Sequence, residues 1–371
     1  MILPNFFVNN RIFFLSLRPE KMKLFVFNPE HDLALAANLS NFTAPHAGRQ
    51  LRAELGFLPA IWAGDDDYIL VDDVKQAEES YGLLRAELGL GPKRFVNKKQ
   101  LNHLYINKVE PWGWDLALRS FLIRYGIDVV PSETDISVIR NLSHRRQASI
   151  LLAKLQVDGV VGLSQEIVCT DEIKFFLNIH RHIVVKAPWS SSGRGVRFIK
   201  DSIDGYQERW ISNVIDKQGS VMVEPYYNKV MDFGMEFESD GNGHVNYLGL
   251  SLFHTINGAY VGNIIATEID KQRILSQYIP DGLVNLIKIK ICGFLSEAFC
   301  GKYQGPFGVD MMIVAKNDNN GFLLHPCVEI NLRRTMGHVA LAILPFADGS
   351  KHVMEITKRE DGFKVILSPI S

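Results

Sequence analysis

The sequence lacks the features that mark several large classes of protein. Its 371 residues contain only four cysteines, none of them in a C-x-x-C pair, so neither a disulfide framework nor a zinc cluster is predicted. Basic and acidic residues nearly cancel, 40 against 41, which gives no overall attraction to nucleic acid or to an anionic membrane. Any phosphate binding must therefore be local. These absences favour a cytoplasmic protein with small-molecule partners and without nucleic-acid or membrane partners.

Long hydrophobic runs are missing as well. Residues 1–21 are apolar in patches, but polar and charged residues interrupt them before they reach the length that spans a bilayer. They also lack an apolar stretch followed by a small-residue cleavage site, which disfavours a signal peptide. The segment MKLFVFNPEHD, which begins at Met22, has the pattern of a natural protein start. We interpret residues 1–21 as a start-site extension outside the core fold.

What the sequence does contain is an alternation of helices and short apolar strands over residues 22–142. This alternation predicts a small α/β domain with a mostly parallel sheet. From residue 143 onward, a helix is followed by several strands that are separated by Asp-Gly and Asn-Gly turns, which favour antiparallel pairing. The second half is therefore predicted to be α+β.

A run of small residues follows an apolar strand in VVKAPWSSSGRGVRF, residues 184–198. Lys186 lies at the end of that strand, and the residues after it offer hydroxyls and backbone N–H groups that can surround phosphate oxygens. The stretch has neither the order of a P-loop nor the full glycine spacing of a dinucleotide-binding fingerprint. Taken alone, it fits a plain hairpin loop more often than a phosphate site.

Two predicted strands near the C-terminus carry polar side chains in an otherwise apolar run. In VEINLRR, Glu329 and Asn331 project from one face of a strand, and Asp310 lies on the preceding strand of the same hairpin. Carboxylate and amide oxygens suit Mg²⁺, and Arg333 carries the same face toward a phosphate or a carboxylate. We predict a metal site here; the alternative is an exposed acidic strand with salt-bridging arginines.

A third feature is VMVEPYY, residues 221–227, where a strand ends in Glu224 followed by a proline. Such a hinge between strands can offer a carboxylate, backbone groups and an apolar wall to an adenine. An ordinary edge-strand turn explains the same residues equally well.

In this order and spacing, the three features resemble the ATP-grasp superfamily over roughly residues 143–345. The resemblance implies an α/β domain over 22–142, a lid over 143–220 and a C-terminal lobe with the metal site over 221–371, the two lobes holding ATP between them. It also implies ATP and Mg²⁺, or Mn²⁺ in its place, as cofactors. The implied reaction forms an acyl phosphate on a small carboxylate, which an amine then attacks with release of ADP and phosphate.

The resemblance also implies roles for individual residues. Lys186 and Arg333 take catalytic roles, and Arg145 stands where the family has an earlier nucleotide-binding lysine. The implied nucleotide contacts are Arg145, Lys186, Ser191, Ser192, Gly193, Gly195, Glu224, Tyr226 and Asp232, and the implied metal ligands are Asp310, Glu329 and Asn331. Two alternatives stay open: a kinase that stops after phosphoryl transfer, and a nucleotide-binding regulatory protein without turnover.

Substrate residues are less well marked. Tyr260 and Asn263 lie in a glycine-rich turn, and Arg334 and His338 follow the predicted metal strand. His31 and His46 follow the first strand, at the strand ends where α/β sheets bind ligands. For Asp32, beside His31, a helix cap is the alternative to a substrate contact. The sequence names neither the carboxylate nor the amine, and it leaves the oligomeric state open.

Overall fold

A computed structural model of the chain describes residues 22–190, 195–256, 259–316, 318, 320–360 and 362–370. The start-site extension and the loop residues Ser191, Ser192 and Gly193 lie outside these described residues. Within them the chain forms three β-sheets with helices packed against each. None of the helices in these ranges is long and apolar enough to cross a membrane.

The N-terminal sheet is parallel and has the strand order β3–β2–β1–β4. Its strands are β1 (Lys23–Val26), β2 (Tyr68–Leu70), β3 (Arg94–Val96) and β4 (Lys108–Pro111). The helices of this region are α1 (His31–Ala37), α2 (His46–Leu55), α3 (Val74–Leu88), α4 (Leu116–Arg124) and α5 (Glu133–Leu142), with 3-10 turns at Leu58–Ile61 and Leu101–His103. Strand β1 is apolar on both faces, since Leu24 and Val26 pack into one core and Phe25 into another. A parallel sheet covered on both sides requires that pattern.

A small antiparallel sheet follows, with the order β5–β8–β6–β7. The elements from residue 146 onward are α6 (Arg146–Lys154), β5 (Gln165–Ile167), α7 (Thr170–His180), β6 (His182–Lys186), β7 (Val196–Lys200), α8 (Gly205–Gln218) and β8 (Val221–Pro225). Helices α7 and α8 pack on this sheet around Ile173 and Ile211, whereas α6 joins the core of the larger sheet through Leu151. Strand β8, which the sequence division placed in the C-terminal lobe, lies in this small sheet. The domain limits themselves stay a prediction.

The largest sheet has seven antiparallel strands in the order β13–β12–β9–β10–β11–β14–β15. They are β9 (Lys229–Ser239), β10 (Val245–Ile256), β11 (Ala259–Ile265), β12 (Gly305–Ala315), β13 (Phe322–Asn331), β14 (His352–Arg359) and β15 (Gly362–Pro369). Its helices are α9 (Glu268–Leu275), α10 (Asp281–Phe299) and α11 (Met336–Ala342). The fold prediction, an α/β domain with a parallel sheet followed by an α+β half with antiparallel strands, is confirmed.

The strands of the large sheet separate a core face from a second face. Phe233, Met235 and Phe237 of β9 are fully buried in the core that α10 and α6 cover. Because side chains alternate along a strand, Gly234 and Glu236 belong to the other side, which we call the site face. The same alternation on β12 and β13 brings polar residues to the site face and apolar ones to the core.

The N-terminal domain packs against the site face. Helix α11 shares a core with the 3-10 turn at Leu58–Ile61, through Val339 and Ala340. The backbone N–H of Arg334 donates to the carbonyl oxygen of Trp112 at 2.8 Å, just beyond β4. These contacts bring the carboxyl end of β1 beside the end of β13.

Candidate functional site

Acidic and amide side chains form rows across three neighbouring strands on the site face. Asp310 of β12 lies directly opposite Glu329 of β13 and opposite Gly234 of β9. In the next row, Gly308 of β12 lies between Glu236 of β9 and Asn331 of β13. Residues paired across antiparallel strands share a face, so Asp310, Glu329 and Asn331 lie on one face of the sheet. Their role as metal ligands stays a prediction.

Hydrogen bonds hold Asn331 in one orientation. Its Nδ2 donates to Oδ2 of Asp310 at 2.9 Å, and its Oδ1 accepts from Nη2 of Arg333 at 2.9 Å. Arginine only donates hydrogen bonds, so the amide oxygen must face Arg333 and the amide nitrogen must face Asp310. Asn331 therefore presents its oxygen to Arg333 and not to the carboxylate pair.

The carboxyl group of Asp310 has a raised pKa. Burial raises its pKa to about 8, and the neighbouring charges of Glu329 and Glu236 add to the shift. In the described part of the chain, no group of three or more histidine, cysteine or acidic side chains is arranged to hold a metal ion. The oxygen donors that face each other here are the carboxylates of Asp310 and Glu329, which are hard donors of the kind that Mg²⁺ takes.

The raised pKa of Asp310 predicts a pH dependence of stability. Between about pH 4 and pH 8 the folded chain holds a proton on Asp310 that the unfolded chain has lost, so stability falls as the pH rises through this window. In the metal-free protein, we expect Asp310→Asn to remove that part of the slope. Urea unfolding in EDTA at pH 5 and pH 8 measures it. Parallel slopes for the variant and the unchanged protein would contradict the assignment.

Glu236 belongs to the site but was missed in the sequence. It is buried, and its Oε2 lies 3.0 Å from Nδ1 of His338. A side chain at Gly308 would place its Cβ 2.6 Å from the same Oε2, so the glycine leaves room for the carboxylate. The available signal was an acid inside the apolar alternation FGMEF. This signal did not identify Glu236 as a site residue, because the sequence does not show that β9 pairs with β12.

Arg145 joins β13 to Ala187 and Ser190, which lie just before the loop of serines and glycines and which we call the loop root. Its Nη2 donates to Oε1 of Glu329 at 2.8 Å, and its Nη1 donates to Oγ of Ser190 at 2.7 Å and to the carbonyl oxygen of Ala187 at 2.5 Å. The guanidinium is buried, and its Nε has no hydrogen-bond partner among the described residues. Arg145 is thus a buried cation between the two features that the resemblance linked to phosphate and metal.

Lys186 and Glu224 form a buried ion pair. Their Nζ and Oε2 atoms lie 2.6 Å apart, and each side chain is at most 10% exposed. The pair forms because β6 and β8 are neighbours, with Glu224 opposite Val184. The predicted phosphate-binding lysine and the predicted adenine-side acid are therefore in direct contact.

His325 of β13 lies close to this pair, and sequence reasoning did not select it. Its ring is fully buried, and burial lowers its pKa to about 4, so it is neutral at pH 7. Neither ring nitrogen has a hydrogen-bond partner among the described residues, and the ring packs edge-on to that of Tyr227. A polar residue inside the run LLHPCV was the only signal in the sequence.

The remaining residues predicted to contact a nucleotide lie around the hinge and the loop. Tyr226 stacks on His182 with ring centroids 3.9 Å apart, and Asp232 pairs with Lys229 at 2.5 Å. The carbonyl oxygen of Gly195 accepts from the backbone N–H of Ala187, and a Cβ at Gly195 would collide with Ser190. Glycine is thus required where the loop closes. The roles of Ser191, Ser192 and Gly193 stay predictions, because these residues lie outside the described part of the chain.

Arg333 is held by a residue of the N-terminal domain. Its Nε donates to Oδ1 of Asp32 at 3.0 Å and its Nη2 to Oδ2 at 2.8 Å, while its Nη1 donates to the carbonyl oxygen of Arg334 at 3.0 Å. Burial acts to raise the pKa of Asp32, but the charge and hydrogen bonds of Arg333 outweigh it and leave that pKa below its usual range. Asp32 does not cap α1, since the N-cap is Glu30.

The predicted substrate residues divide into two groups. Near the site face, the hydroxyl of Tyr260 donates to Oδ1 of Asn263 at 2.6 Å, and Nδ2 of Asn263 donates to Oγ of Ser251 at 2.8 Å. His338 caps α11 with Thr335, and burial lowers the pKa of Arg334.

The two histidines after β1 lie in different settings. His31 is buried, with Nδ1 3.4 Å from Oδ2 of Asp115, whereas His46 is exposed at the first residue of α2. Among the described residues, neither forms a hydrogen bond or an ion pair with Asp310, Glu329 or Asn331. Their substrate roles, like those of the other four residues, stay predictions.

A small cleft combines these elements. It is lined by the start of α1, the root of the loop and the end of β13, and its polar side chains are Asp32, Ser143, Ser190, Glu329 and Asn331. The cleft thus contains one predicted metal-binding carboxylate and one hydroxyl of the loop root, together with a residue of the N-terminal domain.

Comparison with known proteins finds likeness in fold only. No family model and no curated protein matches the chain. N5-carboxyaminoimidazole synthetase from Staphylococcus aureus has a TM-score of 0.47 and 12% identity, over 94% of this chain and 93% of that one. A biotin carboxylase–β,γ-ATP complex from Campylobacter jejuni has a TM-score of 0.45 and 12% identity, and the match covers 91% of this chain and 75% of the biotin carboxylase chain. A protein from Archaeoglobus fulgidus, provisionally assigned to the ATP-grasp superfamily, has a TM-score of 0.46 and 13% identity, and the match covers 94% of this chain and 100% of that protein. The activity of this chain has to be argued from its own residues.

Proposed function

We propose that the chain is an ATP- and Mg²⁺-dependent ligase that activates a small carboxylate as an acyl phosphate and joins it to an amine. The observation that carries the proposal is the position of Arg145, which bonds both to Ser190 at the loop root and to Glu329 opposite Asp310. Because one buried cation joins them, this contact supports a single site that includes the loop root and the acidic pair. A site with cations and a hard donor set side by side suits a nucleotide triphosphate with its metal.

The residues present fit Mg²⁺. Asp310 and Glu329 would hold the ion, since they offer carboxylate oxygens from adjacent strands, and Asn331 would join them only after its oxygen leaves Arg333. When bound, the ion would supply positive charge that offsets the charge on the phosphate oxygens.

The other residues of the site would bind and orient the nucleotide. Lys186 and Arg145 are buried cations that can hold phosphate oxygens at fixed positions, and phosphoryl transfer depends mainly on such positioning and charge neutralisation. The loop between Ser190 and Gly195 would cover the reacting groups and keep water from the acyl phosphate. Transfer of the γ-phosphoryl group to the carboxylate would release ADP, and attack by the amine would then release phosphate.

A pooled-substrate assay tests this proposal. The protein is incubated with ATP, Mg²⁺, amino acids and other small carboxylates and amines, while ADP, phosphate and new masses are followed. We expect equal amounts of ADP and phosphate together with a condensed product. A phosphorylated product without free phosphate would instead show a kinase. Tight ADP binding with no turnover in any pool would favour a regulatory protein.

A further inference from the structure

We propose that Asp32 is a positioning residue of the metal centre: it holds Arg333 away from Asp310 and Glu329 and so leaves these carboxylates for a metal cation. The inference rests on the proposed function, because it assumes a cation at the acidic pair. It assigns a role in that site to the N-terminal domain, from a residue that is 301 positions from its partner in the chain.

The first support is the geometry of the ion pair. Both carboxylate oxygens of Asp32 accept hydrogen bonds from Arg333, Oδ1 from Nε at 3.0 Å and Oδ2 from Nη2 at 2.8 Å. Both side chains are less than one-fifth exposed. Two parallel charge-assisted bonds fix the plane of the guanidinium as well as its position. Nη1 bonds to the carbonyl oxygen of Arg334, and Nη2 also reaches Asn331. Arg333 is therefore fully oriented by protein groups.

The second support is what Arg333 would do without Asp32. A largely buried guanidinium cannot stay without an anion, because its desolvation then goes uncompensated. After Asp32, the acids whose charges act most strongly on Arg333 are Glu329 and Asp310. Freed from Asp32, the guanidinium would turn toward these two carboxylates. It would then compete with a metal cation for the same oxygens.

The third support is the asymmetry between the two arginines of the site. Arg145 already bonds to Glu329, so the acidic pair has one protein cation next to it. A second arginine on the same pair would neutralise it without any metal. Asp32 prevents this, because it supplies Arg333 with a carboxylate of its own.

Binding of Mn²⁺ to the full-length protein in the presence of ADP tests the proposal, with free Mn²⁺ measured by electron paramagnetic resonance. We expect Asp32→Asn to weaken Mn²⁺ binding about tenfold or more, since an uncompensated cation then lies next to the site. The double variant Asp32→Asn/Arg333→Gln, which removes both charges, is expected to recover affinity to within about threefold of the unchanged protein. Glu30→Gln is the matched control, because Glu30 is another acid of the N-terminal domain that pairs with an arginine, in this case Arg52. Its replacement should leave Mn²⁺ affinity unchanged.

Each outcome decides the proposal. Recovery in the double variant supports it, since a merely structural role of Asp32 would leave both variants equally weak. Unchanged affinity in Asp32→Asn overturns it, and so does a double variant as weak as the single one. Asp310→Asn separates this failure from failure of the proposed function: if Asp310→Asn binds Mn²⁺ as well as the unchanged protein does, the metal site itself is wrong.

Discussion

Replacement of Glu329 by glutamine is expected to lower Mg²⁺-dependent ATP turnover by about a thousandfold or more. Glu329 lies opposite Asp310, and together they supply the only pair of directly opposed carboxylates among the predicted ligands. Glutamine keeps the shape and one oxygen but removes the charge that holds a divalent cation. It also removes the ionic partner of Arg145, which then keeps only its bonds to the carbonyl oxygen of Ala187 and to the hydroxyl of Ser190. Release of ADP and phosphate under saturating ATP measures the loss.

The control for this variant is Glu297→Gln. Glu297 is exposed on α10, which packs on the core face of the same sheet, so its replacement removes an equal charge at a distance from the site. It should leave turnover unchanged. Because Glu329 is partly exposed, we expect both variants to fold, which near-UV circular dichroism and thermal unfolding can check. Equal turnover in the Glu329 variant and its control would contradict the metal assignment.

The acidic pair could be predicted from sequence because it depends on short-range rules. Glu329 and Asn331 share a face through the two-residue period of a strand, and Asp310 joins them through a hairpin of adjacent strands. The structure places Asp310 opposite Glu329. The apolar residues around them marked the strands, so the polar exceptions stood out.

Other parts of the site depend on contacts between distant segments. Glu236 joins the acidic rows only because β9, far earlier in the chain, inserts next to β12. Asp32 meets Arg333 only because the N-terminal domain packs on the site face. Neither the strand order nor the packing of two domains is encoded in a local pattern, so these partners could not be found from spacing. The same limit explains why Lys186 and Glu224 were given separate roles although they form one ion pair.

Because Lys186 is paired with Glu224, replacing Lys186 changes both nucleotide binding and stability, and a test of its role must separate the two effects. Lys186→Met is expected to weaken ADP binding by about 10- to 100-fold, because a fixed cation at the phosphates is lost. It also leaves the carboxylate of Glu224 buried without a partner, which typically destabilises a fold by about 3–5 kcal/mol. Weaker binding by the single variant could therefore reflect partial unfolding as well as a lost contact.

The double variant Lys186→Met/Glu224→Gln separates the two effects. It removes the stranded charge, so its free energy of unfolding in urea should recover most of what Lys186→Met loses. Its affinity for ADP, measured by calorimetry, should stay about as weak as that of the single variant, since neither side chain then offers a cation to phosphate. Recovery of both stability and affinity would mean that Lys186 serves only to neutralise Glu224, and the loop after it would lose its assignment as a phosphate site. Recovery of stability alone would identify Lys186 as the fixed cation of a nucleotide site.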